Sequence, residues 1–274
     1  MTRSEHVDPI WWLAYLALGG VVGIFAGLLG VGGGGIMVPI LTSLFALQGF
    51  PHDTLVHVAL GTSLAAIVPT SLASLRAHHR RGGVVWPVVR SITPGILVGT
   101  FLGTFLASHV PTSGLAIFFA CFMAFVSLQM LINLKPQPSR TLPGAWGVSG
   151  VGLGIGGISA LVAIGGGSLT VPFLTWCNVS MRRAIGTSAA VGLPIALAGA
   201  IGYLINGWGE PGLPVGTLGF VYWPAVILMA SVSFFTAPLG ARLAHRLPVS
   251  ALKRIFAFVL MALSVKMLFT VLSG

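Results

Sequence analysis

Acidic residues are almost absent from this chain. Of 274 residues only four are acidic (Glu5, Asp8, Asp53 and Glu210), and all charged residues together make up 7%, against roughly 25% in soluble domains. That scarcity excludes a soluble fold with a solvated surface, and no polar stretch is long enough to hold a separate soluble domain. Cysteine is nearly missing as well. Cys121 and Cys177 lie far apart in apolar surroundings, so neither a disulfide framework nor a thiolate metal site is expected, and both read as small buried side chains. No Asp or Glu falls inside an apolar run, which argues against a sodium site built on carboxylates or a carboxylate proton relay. With no paired His in a run either, a membrane-embedded hydrolase or metalloenzyme lacks its base and its ligands. No catalytic residue, metal or cofactor is expected.

What is present is apolar. Hydrophobic residues make up 55% of the chain, in several runs near twenty residues long, the length needed to cross a bilayer. The fold class is an all-α polytopic membrane protein. A net charge of +10 suggests nucleic acid in a soluble protein, but here the cations are spread over short loops between apolar runs, as the positive-inside rule produces. No nucleic-acid partner is expected; the partners are the lipid bilayer and a small anion, with a homo-oligomer left open.

The chain is organised around Gly30-Val31-Gly32-Gly33-Gly34-Gly35-Ile36-Met37-Val38-Pro39. Four consecutive glycines cost a helix about 1 kcal/mol each relative to alanine, so an ordinary span would not hold them. A break frees backbone groups at membrane depth, where they survive only against protein or a water-lined cavity. The pattern returns as Ile164-Gly165-Gly166-Gly167-Ser168-Leu169-Thr170-Val171-Pro172.

Met1 to Pro9 lacks a basic n-region and cleavage site, so the first run reads as a retained span, not a signal peptide. Residues 1–9 form an outward-facing tail and 10–134 the first transmembrane repeat. That repeat holds a span Ile10–Leu29, a short segment Ile36–Gln48, and spans Leu55–Leu75, Val84–Ala107 and Leu115–Leu134. Residues 135–143 are a proline-rich basic cytoplasmic linker. The second repeat, 144–274, replays the order: Ala145–Ala163, a short Leu169–Cys177, Arg183–Leu204, Val215–Leu243 and Leu252–Leu272. Thirteen residues in Ile36–Gln48 fall short of the roughly 20 needed to cross, so each repeat holds a glycine-broken helix or re-entrant hairpin plus three further spans.

The repetition goes beyond hydropathy. Gly61-Thr62-Ser63 with Pro69 matches Gly186-Thr187-Ser188 with Pro194, Trp86-Pro87 matches Trp223-Pro224, Val110-Pro111 matches Leu247-Pro248, and Met130-Leu131 matches Met267-Leu268. Of the 14 basic residues, all but Arg3, Arg90 and Lys266 fall in four loops, and the acids fall in the others. With each glycine hairpin counted as a there-and-back excursion, basic loops take the cytoplasmic face and acids the outer one. The halves are then inverted and both termini lie outside.

Inverted repeats with broken helices point to alternating-access transport, with the site near the midplane where the halves meet. Each short helix would turn its N-terminus, carrying about half a positive charge, toward that centre. The expected substrate-binding residues are Gly32, Gly33, Gly34, Gly35, Thr62, Ser63, Gly165, Gly166, Gly167, Ser168, Thr187 and Ser188: backbone amides and hydroxyls suited to an oxygen-rich anion. Each has a blander role. Glycines also allow close helix packing, as Gly19, Gly23 and Gly27 are expected to do, and hydroxyls bond back to their own helix. Secondary candidates are Gln129 and Lys266, which are repeat partners, and His57 and Arg182, likewise. Against them stand snorkelling of Lys266 to the interface and plain solvation for His57 and Arg182. Arg90 and the His78-His79 pair are expected at the inner headgroups.

Gly27 to Pro39, its echo Ala160 to Pro172, the two Gly-Thr-Ser triplets and Pro238-Leu239-Gly240-Ala241-Arg242-Leu243-Ala244 resemble the TauE/SafE sulfite exporter family, also called the toluene-sulfonate uptake permeases. The resemblance runs from about Leu18 to Leu268. It implies export or uptake of sulfite, sulfoacetate or related sulfur-containing anions across a bacterial inner membrane. Export fits the energetics, because a potential negative inside drives an anion outward by about 2.3 kcal/mol per charge per 100 mV. An anion channel lined by the same glycine backbone is the alternative.

Overall fold

The computed structural model describes residues 9–29, 33–132, 140–243 and 249–272. The expected site residue Gly32, tail residues 1–8 and linker residues 135–139 lie outside them. Ten helices carry the described chain: α1 (Pro9–Leu29), α2 (Gly34–Leu47), α3 (Leu55–His79), α4 (Trp86–His109), α5 (Thr112–Ile132), α6 (Ala145–Val162), α7 (Gly167–Trp176), α8 (Met181–Asn206), α9 (Trp223–Leu243) and α10 (Val249–Leu272). Eight of them are long and apolar enough to cross a membrane; α2 and α7 are not. The protein is an all-α polytopic membrane protein.

Helix ends shift by a few residues from the sequence reading, α3 continuing past Leu75 to His79, and one run differs more. The run Val215–Leu243 is not one helix: strands β1 (Thr217–Leu218) and β2 (Val221–Tyr222) form a small antiparallel hairpin before α9 starts at Trp223. Gly216 and Gly219 take positive φ (90° and 55°) there, which ends any helical continuation. Cys121 also differs, being exposed, whereas Cys177 is buried as expected.

The bundle is centred on α3. Of its apolar stretch 83% is buried inside the protein, against 33% for α5 and α10, whose outer faces carry exposed Phe118, Phe125, Phe258 and Phe269. The closest helix pairs join early helices to late ones: α1 with α9, α4 with α6, α3 with α8 and α5 with α10. Glycine makes the first two pairs close. A Cβ on Gly152 or Gly156 of α6 would overlap the Ile92 or Ile96 carbonyl of α4. One on Gly19 or Gly23 of α1 would strike Met229 or Ser233 of α9. Small residues at four-residue spacing let backbones touch where apolar side chains gain nothing by leaving lipid.

The two ends of the bundle differ in charge. At one end the α3–α4 turn rests on the start of α8, and the Arg140 amide donates to the Trp176 carbonyl (3.3 Å) with its guanidinium 5.9 Å from the Trp176 ring. Arg76, Arg80, Arg81, Arg182 and Arg183 belong to this end. At the other, Thr112 Oγ1 donates to the Asp53 carbonyl and His52 Nε2 lies 3.0 Å from the Val271 carbonyl. Four aromatic rings pack together at this acidic end. Phe45 stacks on Phe50 (4.4 Å), Tyr222 meets both edge-on, and Tyr15 lies 6.4 Å from Tyr222 while accepting a hydrogen bond from Gln48 (2.6 Å).

Candidate functional site

Both glycine stretches break the chain at matching places. Gly33 caps α2 with φ 81° and Gly166 caps α7 with φ 78°, left-handed conformations that strain any residue with a Cβ. Ala163 nonetheless takes φ 49° to end α6. Ile36 and Met37 close on the Gly33 carbonyl, and Leu169 and Thr170 on that of Gly166 (2.7–3.2 Å). The amides of Gly34, Gly35, Gly167 and Ser168 therefore have no partner inside their own helices.

The two breaks meet. A Cβ on Gly34 would fall on the Ala163 carbonyl, with Ile67 Cδ1 3.3 Å away. One on Gly192 of α8 would lie 2.8 Å from the Gly165 carbonyl and 3.3 Å from Ser71 Oγ. Met123 and Leu260, from the middles of α5 and α10, flank Gly35. The breaks thus sit at mid-depth, beside α3. A narrow crevice of about 10 Å³, room for roughly one water, opens there between Ala26, Thr70, Ser71, Ser74, Gly165, Ala189 and Gly192.

The Gly-Thr-Ser triplets have a definite structural task. Thr62 Oγ1 accepts the Tyr222 amide (2.9 Å), and Thr187 Oγ1 accepts the Val85 amide (3.0 Å). Gly61 lets the Phe220 carbonyl approach where a Cβ would overlap it, and Gly186 does the same for the Gly83 carbonyl. Each triplet clasps the chain just before the Trp-Pro helix start of the other half. Ser188 Oγ bonds back to the Ile185 carbonyl (2.8 Å). Ser63 and Ser168 are buried with hydroxyls that have no partner among the described residues.

The sulfite exporter TauE/SafE family model matches residues 15–267. The chain belongs to the TauE/SafE family. A probable membrane transporter protein of Haemophilus influenzae is 37% identical over 257 residues, covering 93% of this chain and 97% of the relative. The probable membrane transporter YdhB of Bacillus subtilis is 26% identical, over 85% of this chain and 90% of its own length. A probable membrane transporter of Methanocaldococcus jannaschii is also 26% identical, over 92% and 94%. No solved structure matches. This TauE/SafE chain is a membrane transporter by family and by relatives.

Its secondary candidates part company. His57 is buried, with Nε2 3.1 Å from both the Ala107 and Val110 carbonyls and its ring 5.2 Å from Phe220, so it ties down the α4–α5 turn. Its counterpart Arg182 is exposed at the basic end. Lys266 is exposed on α10 and Gln129 half-buried on α5, an arrangement suited to snorkelling. The hydroxyls of Thr70, Ser71 and Ser74 went unremarked in the sequence. Their signal was there, as polar residues recurring at helical spacing within an apolar span.

Proposed function

We propose that this TauE/SafE protein is a secondary transporter that exports a small sulfur-containing oxyanion, such as sulfite, sulfoacetate or another organosulfonate, bound at mid-depth between the two glycine breaks. The convergence of the breaks carries this reading: Gly34 lies against Ala163, and Gly192 lies between the Gly165 carbonyl and Ser71. The amides of two helix N-termini, without partners among the described residues, favour an anion there, and buried hydroxyls add donors that need no counter-ion.

Inverted duplication is part of the proposal. Exchanging α1–α5 with α6–α10 turns the α1–α9 pair into α6–α4 and the α3–α9 pair into α8–α4, both of which exist. It leaves α3–α8 and α5–α10 unchanged. Basic residues gathered at one end and Asp53 and Glu210 at the other support a cytoplasmic basic face and outer termini. The narrowness of the crevice, with the aromatic packing at the acidic end, favours a carrier over a continuously open channel.

The test is thermal stabilisation of the purified protein by sulfite, sulfoacetate, thiosulfate, sulfate, toluene-sulfonate and acetate, since a ligand of the folded state raises its apparent stability with occupancy. One sulfur anion should shift the midpoint, and Gly166→Ala should abolish that shift. No response to any sulfur anion would remove the substrate assignment while leaving the fold.

A further inference from the structure

The polar lining of the crevice belongs to one stripe of one helix. Ser63, Thr70, Ser74 and His78 of α3 recur at intervals of seven, four and four residues, with Ser71 three before Ser74, which places them on one face. That face passes both breaks. Ile67, on the same stripe, lies by Gly34, and Ser71 lies by Gly192 of α8, which the Gly165 carbonyl also approaches. Ser63 and Ser74 are buried, and their hydroxyls have no hydrogen-bond partner among the described residues. Ser74 faces the crevice. Buried polar groups are normally paired, so unpaired ones in a native fold call for an explanation. Thr70 has a structural one, sharing a 2.7 Å hydrogen bond with Ser233 of α9. Ser71 and Ser74 lead from the breaks toward Arg76, Arg80 and Arg81 at the basic end.

The matching helix of the second half has no such stripe. Aligned on the Gly-Thr-Ser triplets, α8 carries Ile195, Ala196, Gly199 and Tyr203 where α3 carries Thr70, Ser71, Ser74 and His78. Tyr203 is fully buried with its hydroxyl committed to the Ala160 carbonyl (3.0 Å). Beyond the breaks, the hydroxyl track therefore continues toward the basic end only.

We propose that Ser71 and Ser74 line the half-path between the glycine breaks and the basic end, and that they hydrogen-bond the oxyanion as it passes, while Thr62 and Thr187 serve the clasps. This rests on the oxyanion reading above and adds the route and its residues. A basic mouth concentrates anions ahead of such a path, so the track is an entry for anions and a poor one for cations.

Cysteine accessibility in the full-length protein tests it. Cys121→Ser and Cys177→Ala remove the native thiols, and Ser71→Cys, Ser74→Cys and the α8 control Ala196→Cys are introduced singly. Reconstituted protein is treated with the anionic reagent sulfonatoethyl methanethiosulfonate from the side bearing Arg80 and Arg81. Ser71→Cys and Ser74→Cys should react about tenfold or more faster than Ala196→Cys, and faster than with a trimethylammonium analogue. Sulfoacetate or toluene-sulfonate, which unlike sulfite do not themselves attack the thiosulfonate, should slow the reaction. Rates no higher than Ala196→Cys, in protein still stabilised by sulfite, would overturn the path. Fast labelling that no sulfur anion slows would keep the path and remove the substrate. Should either cysteine prevent folding, Ser71→Ala and Ser74→Ala give a second readout: a raised KM for sulfite flux with an unshifted melting midpoint is expected, and an unchanged KM overturns the proposal.

Discussion

The two central helices, α3 and α8, start alike and end differently. At their Gly-Thr-Ser triplets they make the same clasp, Thr62 on the Tyr222 amide and Thr187 on the Val85 amide, with Gly61 and Gly186 admitting a carbonyl each. A few turns on, α3 presents Ser71, Ser74 and His78 where α8 presents Ala196, Gly199 and Tyr203. Backbone-supporting positions are matched because both halves face the same geometric demand. The positions beyond them are unmatched: α3 carries hydroxyls toward the arginines, whereas α8 runs to the end where Phe45, Phe50 and Tyr222 pack together.

Substitutions can press on that contrast. The largest effect is expected from Gly61→Val and Gly186→Val, whose side chains have no room against backbone. Each should destabilise the protein by about 3 kcal/mol or more, seen as a lowered unfolding midpoint in detergent. A large drop at one site only would mean the clasps are not equivalent. Next come Thr62→Val and Thr187→Val, which keep shape but strand a backbone N–H. A loss of about 1–3 kcal/mol each is expected, with the KM of the transported anion unaltered; a KM that rises severalfold would put these hydroxyls back in the binding site. The smallest is Tyr203→Phe, which removes one hydrogen bond to Ala160 and should cost about 1 kcal/mol. Flux should be unaffected, since α8 carries no path; a changed flux would break the asymmetry.

Much of this architecture was legible in the sequence. Glycine runs that no span can hold located both breaks, and Gly33 and Gly166 are where the helices restart. The Gly-Thr-Ser triplets were visible as a repeat, but their partners Tyr222 and Val85 lie in the opposite half, so spacing could not reveal that the hydroxyls hold a loop. Gly216 and Gly219 fall inside a run apolar enough to pass for helix, which hid the hairpin. Ser71 and Ser74 were missed for a simpler reason. A serine in an apolar helix can always bond to its own carbonyls, and only the packed structure shows Ser74 facing a crevice unpaired.

The glycine seams also dictate an order of assembly. The face of α1 bearing Gly19 and Gly23 fits Met229 and Ser233, residues that leave the ribosome only after most of the chain has been made. Until then α1 waits in the bilayer without its mate, as α4 does until α6 is inserted. Neither half can therefore close its glycine seams without the other. Insertion of separate helices comes first, and the central helix α3 is enclosed only when α9 closes over it.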